Sequence, residues 1–362
     1  MRPIYYLGIF IPVAIALELA HVDSPVLIFS AAALAVIPCA AVMGQATEAI
    51  AAKSGPGIGG LLNVTFGNAP ELIIAFFALL EGLQEVVKAS LVGSIIGNTL
   101  LVMGAAMLVG GLPRDKQTFS QTAANAQSAM LTLALAALVF PAIFQLIHGG
   151  GLPSVGEERV DFGSELETLS LGVAIVLLVS YAAGLLFSLK THRAVFNPFD
   201  EAAEDEEAHH WSVRRAAIFL AISAVAVGLM SEILVGSISE ASETIGLSEF
   251  FVGVFIVAIV GNAAEHWVAV LVAAKDKMDL AVNIAIGSSA QIALFVAPVL
   301  VLASFVVGPN PMALVFNGYE LGGLLFAVLI ANLVTQDGES NWFEGVQLLA
   351  LYAVLGLVFY FA

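Results

Sequence analysis

The chain has 362 residues, of which 60% are hydrophobic and 11% charged, with a mean hydropathy of +0.98 and a formal net charge of −17. This composition excludes a soluble globular core and points to a polytopic membrane protein. The single cysteine, Cys39, excludes a disulfide framework and an all-cysteine metal site.

Apolar runs long enough to cross about 30 Å of hydrocarbon follow one another along the chain. In chain order they predict spans near 3–19, 25–47, 57–82, 86–109, 122–147, 166–189, 213–236, 249–274, 279–305, 312–335 and 343–361, eleven in all. The first follows Arg2, as a secretory signal would, but Glu18-Leu19-Ala20 is a poor small-x-small cleavage site, so a retained helix is expected. Cys39, inside the second, reads as a small packing residue. All spans are read as helices, since a helix satisfies its own backbone in lipid and no segment alternates as a barrel strand does. Glycine and proline within them then mark kinks or breaks.

The third span contains Gly67-Asn68-Ala69-Pro70-Glu71 and the eighth Gly261-Asn262-Ala263-Ala264-Glu265, 194 residues apart at every matched position. Gly93-Ser94 in the fourth span and Gly287-Ser288 in the ninth keep the same 194-residue offset. A repeat unit of five spans follows. An odd number of crossings brings the second unit in from the opposite face, giving two inverted-topology repeats, an architecture of secondary transporters. The expected organisation is an extra N-terminal helix (1–20), a first five-helix repeat (21–189), an acidic linker (190–211) and a second five-helix repeat (212–362). Such a chain is an all-α polytopic membrane protein of eleven helices.

Basic residues orient it. With the N-terminus on one side, that side collects Arg2, Lys53, Arg114, Lys116, Lys190, Arg193, Arg214, Arg215, Lys275 and Lys277, and the other receives only Lys88 and Arg159. Ten against two predicts a cytoplasmic N-terminus and an outside C-terminus, with the cell membrane as the expected location.

Glu71 lies about 14 residues into its span and Glu265 about 16 into its own, roughly 21 to 24 Å along each helix, so both are expected in the middle half of the bilayer. Intramembrane carboxylates are costly and mark function. Asn68 and Glu71 share a helix face, and Asn262, Glu265 and His266 repeat it. Pro70 removes an amide donor, and Gly67 and Gly261 tolerate a break, so unwinding is expected just before each glutamate. In the partner spans Ser94 with Asn98, and Ser288 with Gln291, offer neutral oxygens. Two carboxylates plus neutral oxygens form a hard-donor set suited to calcium. Each of Ser94, Asn98, Ser288 and Gln291 is equally read as a hydrogen bond between helices. An unpartnered dianion in low dielectric is costly, and bound calcium or bound protons each remove that cost, so the two compete for Glu71 and Glu265. His266 stands where the first repeat has Leu72; it either modulates proton exchange or bonds a neighbouring helix. Glu18 and Glu48, near span ends, read as interfacial, whereas Glu232 and Glu320 lie deeper and are candidates for a proton route or gate.

The run Gly67-Asn68-Ala69-Pro70-Glu71-Leu72-Ile73-Ile74-Ala75, then Gly261 to His266, Lys275-Asp276-Lys277-Met278-Asp279-Leu280-Ala281 and Gly287-Ser288-Ser289-Ala290-Gln291-Ile292, closely resembles the cation/proton exchanger family of the calcium/cation antiporter superfamily. Asp337-Gly338-Glu339-Ser340-Asn341-Trp342 with Glu344-Gly345 resembles it too. Pro70 stands where many members have an aliphatic residue. The resemblance implies a calcium/proton antiporter rather than an enzyme, in which Glu71 and Glu265 carry the exchanged ions, helped by Asn68 and Asn262. It also implies an acidic segment between the sixth and seventh helices, where Asp200, Glu201, Glu204, Asp205, Glu206 and Glu207 stand here. That run is either a solvated linker or a gatherer of cytosolic calcium. Calcium and protons are the expected substrates and the bilayer the expected partner, with no cofactor and no nucleic acid; a homo-oligomer is compatible with the sequence. The rivals are a sodium/calcium exchanger of the same superfamily and a passive cation channel. An intramembrane metalloenzyme is excluded, since no His-Glu-x-x-His motif occurs and Glu265-His266 has no second ligand nearby in sequence.

Overall fold

Short polar side chains take over the free amides where the apolar runs begin. Ser120 accepts from the amide of Ala123, Ser212 from that of Arg215 and Ser248 from that of Phe251, and Asn317 with Glu320 and Asn341 with Glu344 form reciprocal capping boxes. The computed structural model describes residues 2–54, 59, 62, 65–156, 163–191 and 211–362. In chain order its helices are α1 (Pro3–Leu19), α2 (Pro25–Ala51), α3 (Ala69–Leu80), α4 (Gln84–Gly111), α5 (Gln121–Ile147), α6 (Ser164–Thr191), α7 (Val213–Gly236), the short α8 (Ile238–Ile245), α9 (Glu249–Ala274), α10 (Met278–Ser304), α11 (Gly318–Thr335) and α12 (Trp342–Tyr360). Against eleven expected spans, nine of these helices reach membrane-crossing length among the described residues, and α1 and α3 are shorter apolar helices. The chain is a multi-pass integral membrane protein.

α2 and α7 make the most extensive helix–helix contact. Cys39 sits in an apolar cluster with Met43, Ala69 and Val227, a packing role as expected. α4 and α9 meet more closely still: a Cβ on Gly93 would stand 1.9 Å from the carbonyl oxygen of Val254, and one on Gly253 2.8 Å from the Cβ of Ala89. Only glycine lets the two backbones approach this far.

One expected span begins late. The run near 312–335 is helical only from Gly318; residues 312–317, which follow Pro309 and Pro311, have no regular secondary structure. That buried irregular stretch finds partners in side chains: the Met312 amide donates to Ser304 (2.8 Å), the Leu314 amide to Ser170 (2.9 Å), and Lys88 Nζ donates to the Val315 carbonyl (3.0 Å). Non-helical backbone at this depth persists only where protein supplies such bonds. Glu320, read from sequence as a gate candidate, caps α11, its carboxylate accepting the Asn317 amide at 2.7 Å. Glu232, the other candidate, lies on an exposed face of α7.

At one end, strands β1 (Gln117–Thr118) and β2 (Glu339–Ser340) pair antiparallel. The ion pair Lys116–Glu339 (2.6 Å) joins the same two loops, and Arg114–Asp276 (3.2 Å) ties the first of them to the turn between α9 and α10.

Gly93→Ala is expected to destabilise the detergent-solubilised protein by about 1–3 kcal/mol, the cost of forcing a methyl group into a packed contact. Gly97→Ala, one turn away with nothing within 4 Å of its Cβ, is the steric control. Equal thermal-unfolding midpoints for the two variants would contradict the close crossing.

Candidate functional site

The two Gly-Asn-Ala-x-Glu strings meet across the bundle, and their local geometries differ for a reason visible in the residues. Pro70 cannot donate to the preceding turn, so Asn68 leaves helical geometry (φ −96°, ψ 22°) and α3 starts afresh behind it. Glu71 thereby lies in the first turn of a helix, where unpaired amides favour a carboxylate. In the second string Ala264 keeps its amide, and α9 runs unbroken through Gly261 to Glu265. The expected unwinding before each glutamate is therefore found only before Glu71. Glu265 takes a hydroxyl instead: Ser288 Oγ donates to its Oε2 at 3.0 Å.

The remaining polar residues pair crosswise. Ser288 Oγ is 2.7 Å from Asn68 Oδ1, and Asn262 Nδ2 donates to Ser94 Oγ at 3.0 Å. These two contacts are counterparts, offset by 194 residues at both partners. The glycines do the same. A Cβ on Gly67 would lie 3.4 Å from Glu265 Oε1, and one on Gly261 3.3 Å from Glu71 Cγ, so each string's glycine makes room for the other's carboxylate.

Besides the Ser288–Glu265 bond, two contacts lack a counterpart. Asn68 Nδ2 donates to Gln291 Oε1 at 2.6 Å, and His266 Nε2 stands 3.0 Å from Asn98 Oδ1. Turns of π-helix follow Ser94 in α4 (Gly97–Val102) and Ser288 in α10 (Ile292–Val296), and a third lies in α9 (Val252–Val257), a distortion frequent at functional sites.

Glu71, Glu265, Asn68, Asn262, Gly67, Gly261, Ser94, Asn98, Ser288, Gln291 and His266 are thus brought together. Glu71 and Glu265 lie within electrostatic range of each other. The acidic run Asp200, Glu201, Glu204, Asp205, Glu206 and Glu207 lies outside the described residues.

Burial makes the arrangement unusual. Glu71 Oε2 and Asn262 Oδ1 are buried acceptor oxygens without a hydrogen-bond partner among the described residues. An unmet buried polar atom costs roughly 1–3 kcal/mol, more when charged. Among the described residues no group of three or more His, Cys, Asp or Glu gathers at metal-binding distance, so neutral oxygens must complete the shell of any cation held by Glu71 and Glu265. Two carboxylates with amide and hydroxyl oxygens fit a hard cation and not a thiophilic one.

The family profile described as sodium/calcium exchanger protein matches residues 24–190 and 215–361. The chain belongs to that family. It is 46% identical to the Ca(2+)/H(+) antiporter of Aphanothece halophytica, over 98% of this chain and 95% of the relative, and 45% identical to the Ca(2+)/H(+) antiporter ChaA of Bacillus subtilis, over 97% and 96%. The solved structure of native YfkE superposes with a TM-score of 0.82 at 39% identity, covering 99% of this chain and 100% of that one. Members of such a family are transporters, and the chain is a transporter rather than an enzyme.

Sequence reasoning passed over one neighbour. Glu48, assigned to the interface from its place near a span end, lies within electrostatic range of Glu265. Helical spacing alone gives no signal for this, because the approach depends on how α2 packs beside α9.

Gly261→Val is expected to push the Glu71 side chain aside and weaken equilibrium calcium binding at least tenfold, roughly 1.4 kcal/mol. Gly44→Ala, with nothing within 4 Å of its Cβ, is expected to bind as the parent does. Unchanged radiocalcium binding by Gly261→Val would refute the proposed crowding.

Proposed function

We propose that this chain is a secondary active antiporter that exchanges cytosolic calcium for protons by alternating access, with Glu71 and Glu265 shared between the two ions near the membrane midplane. The observation that carries the reading is the crosswise pairing around two carboxylates, with Glu71 Oε2 and Asn262 Oδ1 left as buried acceptors without a partner among the described residues. The names of the relatives agree with it.

On this reading α2–α6 and α7–α12 are inverted repeats of five crossings each, with α1 as an extra helix and α8 a short connection. The N-terminus is cytoplasmic, the C-terminus outside, and the cell membrane the location. Calcium takes Glu71 and Glu265 ionised, with Asn68, Asn262, Ser94, Asn98, Ser288 and Gln291 as neutral oxygen donors or as the groups that hold those donors in place. Protons take the same carboxylates and neutralise them. Either load removes the cost of moving a bare dianion through low dielectric, and that cost couples the two fluxes. His266, bonded to Asn98, tunes the Glu265 side of the exchange.

On the orientation given above, the N-terminal half of α4, packed against α9 at Ala89 and Gly93, is its outer half, and alternating access would require the Gly93–Val254 crossing to shift.

Sodium/calcium exchange and a passive channel are separated from this reading by one flux measurement. In proteoliposomes an imposed pH gradient is expected to drive calcium uptake without sodium, and Glu71→Gln or Glu265→Gln to abolish it. A sodium requirement, uptake indifferent to the pH gradient, or robust transport by either variant would overturn the assignment.

A further inference from the structure

Beyond the site, a cluster of cations sits where α2 ends and α7 begins. Lys53, just past the end of α2, donates from Nζ to the carbonyl oxygen of Trp211. The guanidinium of Arg215 lies 4.9 Å from the centre of the Trp211 ring and 5.6 Å from that of Phe219, and the two rings are 4.9 Å apart. Arg214 precedes Arg215 in the first turn of α7, and Lys53, Arg214 and Arg215 are all exposed. Trp211 thus gathers basic side chains from the ends of the two helices that contact each other most extensively. The two ion pairs among the described residues, Arg114–Asp276 and Lys116–Glu339, do not involve them.

Tryptophan with lysine and arginine at the end of membrane spans is the composition of the headgroup layer. Lys53 and Arg215 meeting at Trp211, with Arg214 next to Arg215 in sequence, complement an anion on a chain of net charge −17, and arginine is suited to phosphate because its planar fork bonds two oxygens at once. A phospholipid presents its phosphate at this depth, while its acyl chains run down beside α7, whose Ile218 and Ile222 are exposed.

We propose that Lys53, Trp211, Arg214 and Arg215 form a binding site for the headgroup of an anionic phospholipid in the cytoplasmic leaflet, and that the bound lipid bridges α2 and α7 and raises the transport rate. The proposal rests on the orientation and antiport activity given above. The acidic run from Asp200 to Glu207, shortly before Trp211, is the rival anion for the same cations.

The test compares the parent protein with the triple variant Lys53→Gln, Arg214→Gln, Arg215→Gln in vesicles of phosphatidylcholine alone and of phosphatidylcholine mixed with phosphatidylglycerol. Uptake of calcium driven by a pH gradient is expected to rise several-fold with phosphatidylglycerol for the parent. The triple variant is expected to keep the parent's rate in phosphatidylcholine and to lose most of the rise. Anionic lipid also concentrates calcium at the surface, and that effect would raise both proteins equally; an equal rise, or none for the parent, overturns the proposal. Stimulation by inorganic phosphate in phosphatidylcholine vesicles would overturn it in favour of a free anion. Neutralising the acids between Asp200 and Glu207 and finding the rise without anionic lipid would overturn it in favour of that segment. Native mass spectrometry supplies a readout independent of transport: phosphatidylglycerol is expected to stay on the parent and leave the triple variant, and equal retention refutes the site. Absence of uptake in every vesicle would count against the antiport reading alone.

Discussion

The cost of charge in low dielectric governs this protein. The buried charged side chains among the described residues are Glu71, Glu85, Lys88 and Glu320. Three of the four bond backbone at the rim of a helix: Glu85 accepts the Gly156 amide, Glu320 the Asn317 amide, and Lys88 donates to the Val315 carbonyl. Glu71 differs in what it faces: like Glu320 it leaves one oxygen unmet at the start of a helix, but a second carboxylate, Glu265, lies across the bundle from it. The neutral oxygens, the glycines that admit the carboxylates and the helix break at Pro70 all serve to make that expensive pair tolerable. On the proposed reading, the same expense ensures that the pair crosses the membrane only when loaded with calcium or protons.

The site is symmetric where ions would be held and asymmetric where they would be sorted. Asn68 with Ser288 and Asn262 with Ser94 are counterparts, as are Gly67 beside Glu265 and Gly261 beside Glu71. Against this, Pro70 answers Ala264, Leu72 answers His266, Gly97 answers Gln291 and Ile292 answers Asn98. Glu71 consequently meets the first turn of a helix, while Glu265 meets a serine hydroxyl, with Glu48 near it. Two carboxylates in such different surroundings need not release a proton at the same step, which suits an exchanger whose ions take turns.

Much of this was legible in the residues. Composition sufficed for a membrane protein, and apolar run lengths for the long helices, because in lipid few alternatives satisfy the backbone. The offset of 194 residues between the two strings marked the candidate site, since buried polar groups at repeated spacing are rare by chance. What was not legible depends on contacts between distant segments. The irregular stretch before Gly318 is apolar enough to read as helix, and Ser304, Ser170 and Lys88, brought from elsewhere in the chain, make its backbone tolerable there. The exchange of partners between repeats was hidden for the same reason, as was Glu48. The expected unwinding at Gly261 failed because glycine permits a break without causing one, whereas Pro70 causes it.

The central claim is that calcium and protons share Glu71 and Glu265, and calorimetry of the purified protein tests it most directly. Calcium titrated near neutral pH into two buffers of different ionisation enthalpy is expected to give different heats, reporting protons released on binding, with calcium affinity rising as pH rises. Heats independent of the buffer, with an affinity flat across pH, would contradict a shared site.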